Sequence, residues 1–213
     1  MSEIRPQTPG EELANSLSHG LGLAAAVVAG PVLLAAAVRQ GSAWTIVGAG
    51  VFAAAMLLLY LASTLYHATP QPRLKRLFQL FDHIAIYILI AGTYTPFTLG
   101  VMRGAVGWVI FGAVWGLAVL GIILKTLGGP RRSPVLSTCL YLGMGWLVVL
   151  AVRPLLERMP LAGFWWLLAG GLAYSGGIAA FAAVRLRYSH LVWHLFVLAG
   201  TVCHYVAVLR YSG

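Results

Sequence analysis

Seven apolar stretches of about 20 residues each, parted by short polar turns, constrain this chain more than any other feature. A run of that length wound as an α-helix crosses the hydrocarbon core of a bilayer. We read spans at roughly 17–38, 44–67, 79–100, 105–125, 134–153, 162–184 and 189–210. The runs are too long for barrel strands and lack period-2 alternation, so helices are the only spanning structure open to them. Only 9% of the residues are charged and 60% are hydrophobic. A soluble domain carries about 25% charged residues, so the apolar excess here must face lipid. The expected fold is all-α, an integral membrane bundle of seven transmembrane helices. Residues 1–16 form a polar cytoplasmic segment with no signal-peptide pattern. Residues 17–213 form a single transmembrane domain.

Turn chemistry fills the connections, as at Gly41-Ser42, Pro70 to Pro72, Arg103-Gly104, Gly129-Pro130 and Met159-Pro160. Such short links make successive helices antiparallel neighbours. Within the spans, Pro31 and Pro96 are positions for kinks. Gly112 with Gly116, and Gly170/Gly171 with Gly176/Gly177, are positions for close helix approach. Cys139 and Cys203 fall inside apolar runs and act as small hydrophobes rather than as a disulfide or metal motif.

The net charge of +9 does not define a nucleic-acid surface, because the basic residues are scattered over many short loops. They orient the bundle instead. Arg5, Arg73, Lys75, Arg76, Lys125, Arg131, Arg132, Arg185 and Arg187 fall on one side. Arg39, Arg103, Arg153, Arg158 and Arg210 fall on the other, completing the 14 Lys and Arg. The bias puts the N-terminus in the cytoplasm and the C-terminus outside.

Ionisable residues at membrane depth are costly and mark function. The chain has five acids and six histidines. His19 opens span one, His67 closes span two, Asp82 and His83 open span three, and His190 and His194 open span seven. In an up-and-down bundle all of these ends share the cytoplasmic side. His204 lies deeper, about 15 Å beyond His194 along its helix. His190 and His194, four residues apart, project from one helix face and can share a cation with His67. Three neutral imidazoles leave a tetrahedral Zn²⁺ one open position, the catalytic rather than the structural arrangement. Asp82 either binds the metal or holds its water; pairing with Arg76 or His83 is the alternative. His83 points about 100° away from Asp82 around the helix. Ser63, one turn before His67, is placed to hydrogen-bond that water or an oxyanion.

These residues resemble the hemolysin III branch of the progestin and adipoQ receptor family. The resemblance is carried by Glu12, Asn15 and His19 around the start of span one, and by Ser63, Tyr66 and His67 closing span two. It continues through Phe81-Asp82-His83 and Tyr87 into Thr93-Tyr94-Thr95-Pro96, and ends on His190, Trp193, His194, Gly200, His204 and Tyr205. It implies a seven-helix bundle with its N-terminus inside. It also implies zinc held by His67, His190 and His194, Asp82 acting on the metal-bound water, and Ser63 as the serine of S-x-x-x-H. His19, His83 and His204 take supporting roles. The wider superfamily includes alkaline ceramidases, which are similar to zinc-dependent amide hydrolases. The long N-terminal domain of the animal receptors has no counterpart, which points to the bacterial branch and the bacterial cytoplasmic (inner) membrane.

Three functions follow as expectations. The first is an intramembrane zinc hydrolase acting on a lipid amide or ester, with Asp82 and Ser63 as catalytic residues. The second is a zinc-stabilised membrane sensor or regulator without turnover. The third is a pore-former or ion pathway through Asp82 and His204. Membrane lipids are the expected partners in each.

Overall fold

The computed structural model describes residues 6–128, 134–183 and 185–213. Arg5, the Gly129-Pro130 turn, Arg131 and Arg132 lie outside them. Helix α1 runs Pro9–Gln40, α2 Ala43–Ala68, α3 Pro72–Pro96 and α4 Ala105–Gly128. Helices α5 (Pro134–Gly145) and α6 (Val152–Arg158) follow, then α7 (Leu161–Ala182) and α8 (Ser189–Tyr211). Among the described residues, seven helical segments are long and apolar enough to cross a membrane, with α5 and α6 forming one of them. The chain is a multi-pass membrane protein, and the expected all-α bundle is what forms.

Local chemistry sets where these helices start and stop. Thr8 caps α1 by accepting from the Glu11 amide at 3.3 Å, while the Glu11 carboxylate accepts from the Thr8 amide at 2.9 Å. This reciprocal capping starts the helix at Pro9, ahead of the apolar run expected from about residue 17. The extra turns carry Glu11, Asn15 and Ser18 into the protein interior. Gly41 ends α1 in the left-handed region (φ 77°), which a residue with a Cβ adopts only at a cost.

Two departures from regular helix follow from proline. Pro96 closes α3, and the chain continues as a π-helical turn over Phe97–Val101. Proline has no N–H to donate, so the ladder is interrupted there. Pro31, by contrast, sits inside an unbroken α1. The fifth span breaks after Gly145, passes through a 3-10 turn at Leu147–Ala151 and restarts at Val152. Pro154 falls in the first turn of α6, where its missing N–H is harmless; in one continuous helix it would disrupt the ladder. The Tyr94 hydroxyl donates to Gly145 O at 2.7 Å and accepts from Val148 N at 2.9 Å. It thereby satisfies backbone groups released at membrane depth.

Packing is sequential, α1 on α2, α2 on α3 and α3 on α4, and α8 closes the ring by packing on both α7 and α1. Helix α3 is the most enclosed of the spans. Phe52, Tyr87, Leu33 and Met144 are fully buried in the shared core. Leu21, Val109, Leu150 and Leu172 point outward, as lipid-facing residues should. Of the expected close approaches, Gly170 and Gly177 are where α7 meets α8: a Cβ on Gly177 would lie 2.7 Å from Phe196 Cβ, and one on Gly170 would collide with the His204 ring. Among the described residues nothing beyond their own helix lies within 4 Å of such a Cβ on Gly112, Gly116 or Gly171, so these three mediate no close approach there.

Candidate metal centre

The last turn of α2 and the first turns of α8 and α1 meet at one end of the bundle. His67, His190 and His194 converge there. One ligand nitrogen from each ring lies within 4.8 Å of the other two. Ring centroids are 5.0 Å apart for His67–His190 and His67–His194, and 4.7 Å for His190–His194.

Hydrogen bonds determine which nitrogen each ring turns toward the others. His67 Nδ1 lies 2.8 Å from Glu12 Oε2, and a carboxylate can only accept, so Nδ1 carries the proton. Its Nε2 is buried and without a partner among the described residues. His194 Nδ1 lies 3.2 Å from Asn15 O and 3.0 Å from Ser18 Oγ. A carbonyl accepts only, so this tautomer is assigned as Nδ1–H as well, with Nε2 left as the lone pair. Among the described residues His190 Nε2 is likewise buried without a partner. Leaving buried polar atoms unmatched costs about 1–3 kcal/mol each. A cation bound by the lone pairs removes that cost, so this donor set fits a divalent metal. A ring held by a carboxylate on its far nitrogen is the usual companion of a metal-ligating imidazole.

Asp82, on α3, and Ser63, one turn before His67 on α2, are both buried. They neighbour each other, although Ser63 Oγ makes no hydrogen bond of full geometry among the described residues. Asp82 stands outside the trio of mutually close ligand atoms. It lines, with Ser63, His19 and His194, one end of a cavity between the helices. Leu59, Ile86, Leu89, Ile90, Leu142 and Ile178 make its walls. A second cavity continues from it, the two sharing Thr93, Tyr94, Gly145, Trp146, Gly171 and His204. The result is an apolar passage with its polar end at the histidines.

The other histidines divide. His19 stacks flat on His194, while the His83 carbonyl accepts from the Tyr141 hydroxyl at 2.9 Å. His204 sits where the two cavities join, with Nε2 donating to Leu167 O at 3.1 Å. Pairing of Asp82 with Arg76 is not what forms: Arg76 is exposed and Asp82 is buried. The basic residue that reaches the centre is Lys75, whose Nζ lies 3.0 Å from Glu12 Oε1. Glu12, Lys75, Asn15 and Ser18 had not been read as parts of the site. The available signal was the spacing of Glu11, Asn15, Ser18 and Gly22, a polar and small helical stripe that is buried.

Fold and site together define a seven-helix membrane protein with three converging imidazoles, one of which, His194, lines an apolar cavity. Residues 8–205 match the family described as Haemolysin-III related. The chain is 44% identical to Hemolysin-3 of Bacillus cereus over 201 residues, covering 94% of this chain and 91% of that protein. It is 43% identical to the Hemolysin-3 homolog of Bacillus subtilis (strain 168), covering 94% of each. Monocyte to macrophage differentiation factor of Homo sapiens is 26% identical over 211 residues, covering 94% of this chain and 84% of that protein. The chain belongs to the Haemolysin-III related family, as its motifs had indicated.

Proposed function

We propose that this protein is an intramembrane metal-dependent hydrolase of a lipid amide or ester, with Zn²⁺ held by His67, His190 and His194. The observation that carries the reading is that Asp82, Ser63 and His194 all line one apolar-walled cavity. A structural metal has no need of such a cavity, whereas a lipid substrate does. A divalent cation with an open position lowers the pKa of water toward about 7 and polarises a carbonyl.

The chain's own groups supply the rest. Leu59, Ile86, Leu89 and Ile90 bind the hydrocarbon chain and exclude bulk water. Asp82 accepts a proton from the attacking water as its oxygen bonds to the carbonyl carbon. Ser63 donates a hydrogen bond to the oxyanion that develops. The carbon–nitrogen or carbon–oxygen bond then breaks, and the departing amine or alcohol takes up the proton. We place the metal end at the cytoplasmic side of the bacterial inner membrane, on the Lys and Arg bias. The test is incubation of metal-loaded protein with amide- and ester-linked lipids, with release of free fatty acid as the readout. No release from either class, by protein with full metal content, overturns the proposal.

A second reading has its own support. The histidines come from α2 and α8, and through Glu12 and Ser18 they also engage α1. Metal at that junction would clamp three helices, the arrangement of a metal-stabilised sensor without turnover. A metal-dependent rise in melting temperature with no lipid hydrolysis favours it.

A further inference from the structure

The first turns of α1 touch the settings of all three histidines. Glu12 Oε2 accepts from His67 Nδ1 at 2.8 Å. Asn15 O and Ser18 Oγ accept from His194 Nδ1. Glu11 Oε1 accepts from the amide of Tyr188 at 2.9 Å, two residues before His190. Tyr188 is the one non-glycine residue with positive φ (58°) among the described residues, so its backbone needs holding from outside.

Of these contacts, the one at Glu12 is the most developed. Its second oxygen is bonded to Lys75 Nζ at 3.0 Å, and that lysine also donates to Tyr66 O at 3.1 Å and lies over the Tyr66 ring. Glu12 and Lys75 are both largely shielded, with side chains 23% and 28% exposed. Lys75 thus neutralises and orients the carboxylate, and the carboxylate orients His67 from α1 while the lysine reaches across from α3. A carboxylate on Nδ1 raises the basicity of Nε2 and holds the ring at one angle.

Resting on the metal-site reading above, we propose that Glu12, steadied by Lys75, is the positioning residue of His67, so that docking of the α1 N-terminus sets the affinity of the centre for metal. Glu12 donates no ligand atom; it acts through His67.

The test measures Co²⁺ affinity, the visible Co²⁺ absorption and the metal-free melting temperature of full-length protein in detergent. Glu12→Ala should weaken Co²⁺ binding by about 10–100-fold and shift the Co²⁺ absorption. Glu12→Gln should lose less, because its amide oxygen still accepts from Nδ1–H, and it remains decisive if Glu12→Ala fails to fold. Lys75→Met should move affinity in the same direction by a smaller factor. Glu157→Ala, in the exposed Arg153–Glu157 pair, should change nothing. Wild-type affinity and spectrum in folded Glu12→Ala and Glu12→Gln, with His194→Ala devoid of metal, overturn this proposal alone. A fall in metal-free melting temperature with unchanged affinity does the same, since it reduces Glu12 to a structural residue. Wild-type protein that binds no Co²⁺ overturns the metal reading itself.

Discussion

The imidazole of His19 lies flat on that of His194, ring centroids 3.6 Å apart and planes 5° from parallel. Both His19 nitrogens are buried, and neither makes a hydrogen bond of full geometry among the described residues. His19 therefore serves His194 through its face rather than through its nitrogens. His19→Phe should keep the melting temperature near wild type. His19→Ala should cost about 2–4 kcal/mol, the range for emptying a buried aromatic-sized site. Thermal or denaturant unfolding in detergent checks both, and equal losses in the two variants would mean that the nitrogens matter.

The α7–α8 seam makes a contrast among glycines. Gly177→Ala pushes a methyl group against Phe196 and Trp193 and should destabilise by about 1–3 kcal/mol. Gly112→Ala meets no chain atom and should stay within about 0.5 kcal/mol of wild type. Melting curves of the pair decide it; a larger loss at Gly112 would mean that the α4 face is packed in a way the monomer does not explain.

Asp82 stands outside the ligand trio, so its removal should separate metal content from turnover. Asp82→Asn should retain the wild-type metal stoichiometry and lose about 10²–10⁴-fold in kcat. Ser63→Ala should lose about 10²–10³-fold with metal likewise retained. Metal analysis beside lipid-hydrolysis kinetics gives both numbers, and loss of metal in Asp82→Asn would make the carboxylate a ligand.

The cavity can be filled without disturbing the centre. Gly171 lines both chambers, and a side chain there meets nothing within 4 Å of its first carbon. Gly171→Leu should keep fold and metal content while raising KM for a long-chain lipid at least about tenfold. Short-chain substrates should be less affected. Equal effects on both would show that the chain does not lie along this passage.

Much of the architecture was legible because a helix in lipid must be apolar along its whole length, and that requirement is written locally. His190 and His194 could be paired from their spacing alone, since four residues is about one helical turn. The break at Trp146 was harder: the apolar run is continuous across it, and only Pro154 marks the restart. The pairing of Glu12 with His67 was not legible for a different reason. It lies 55 residues from His67 in the chain, and neither its own turn nor that of His67 announces the partner. In the sequence Lys75 looks like one more basic loop residue, although its ammonium binds Glu12 and the Tyr66 carbonyl. Composition can place such groups at the same end of a bundle; only packing brings them into contact.

The central claim is that His67, His190 and His194 together hold one metal ion. Elemental analysis of purified wild-type protein beside the His67→Ala/His190→Ala/His194→Ala variant tests it most directly. The wild type should hold close to one equivalent of zinc and the variant essentially none, with Asp82→Asn retaining it. Equal metal in wild type and triple variant, or none in either after purification without chelator and reconstitution with Zn²⁺, would contradict it.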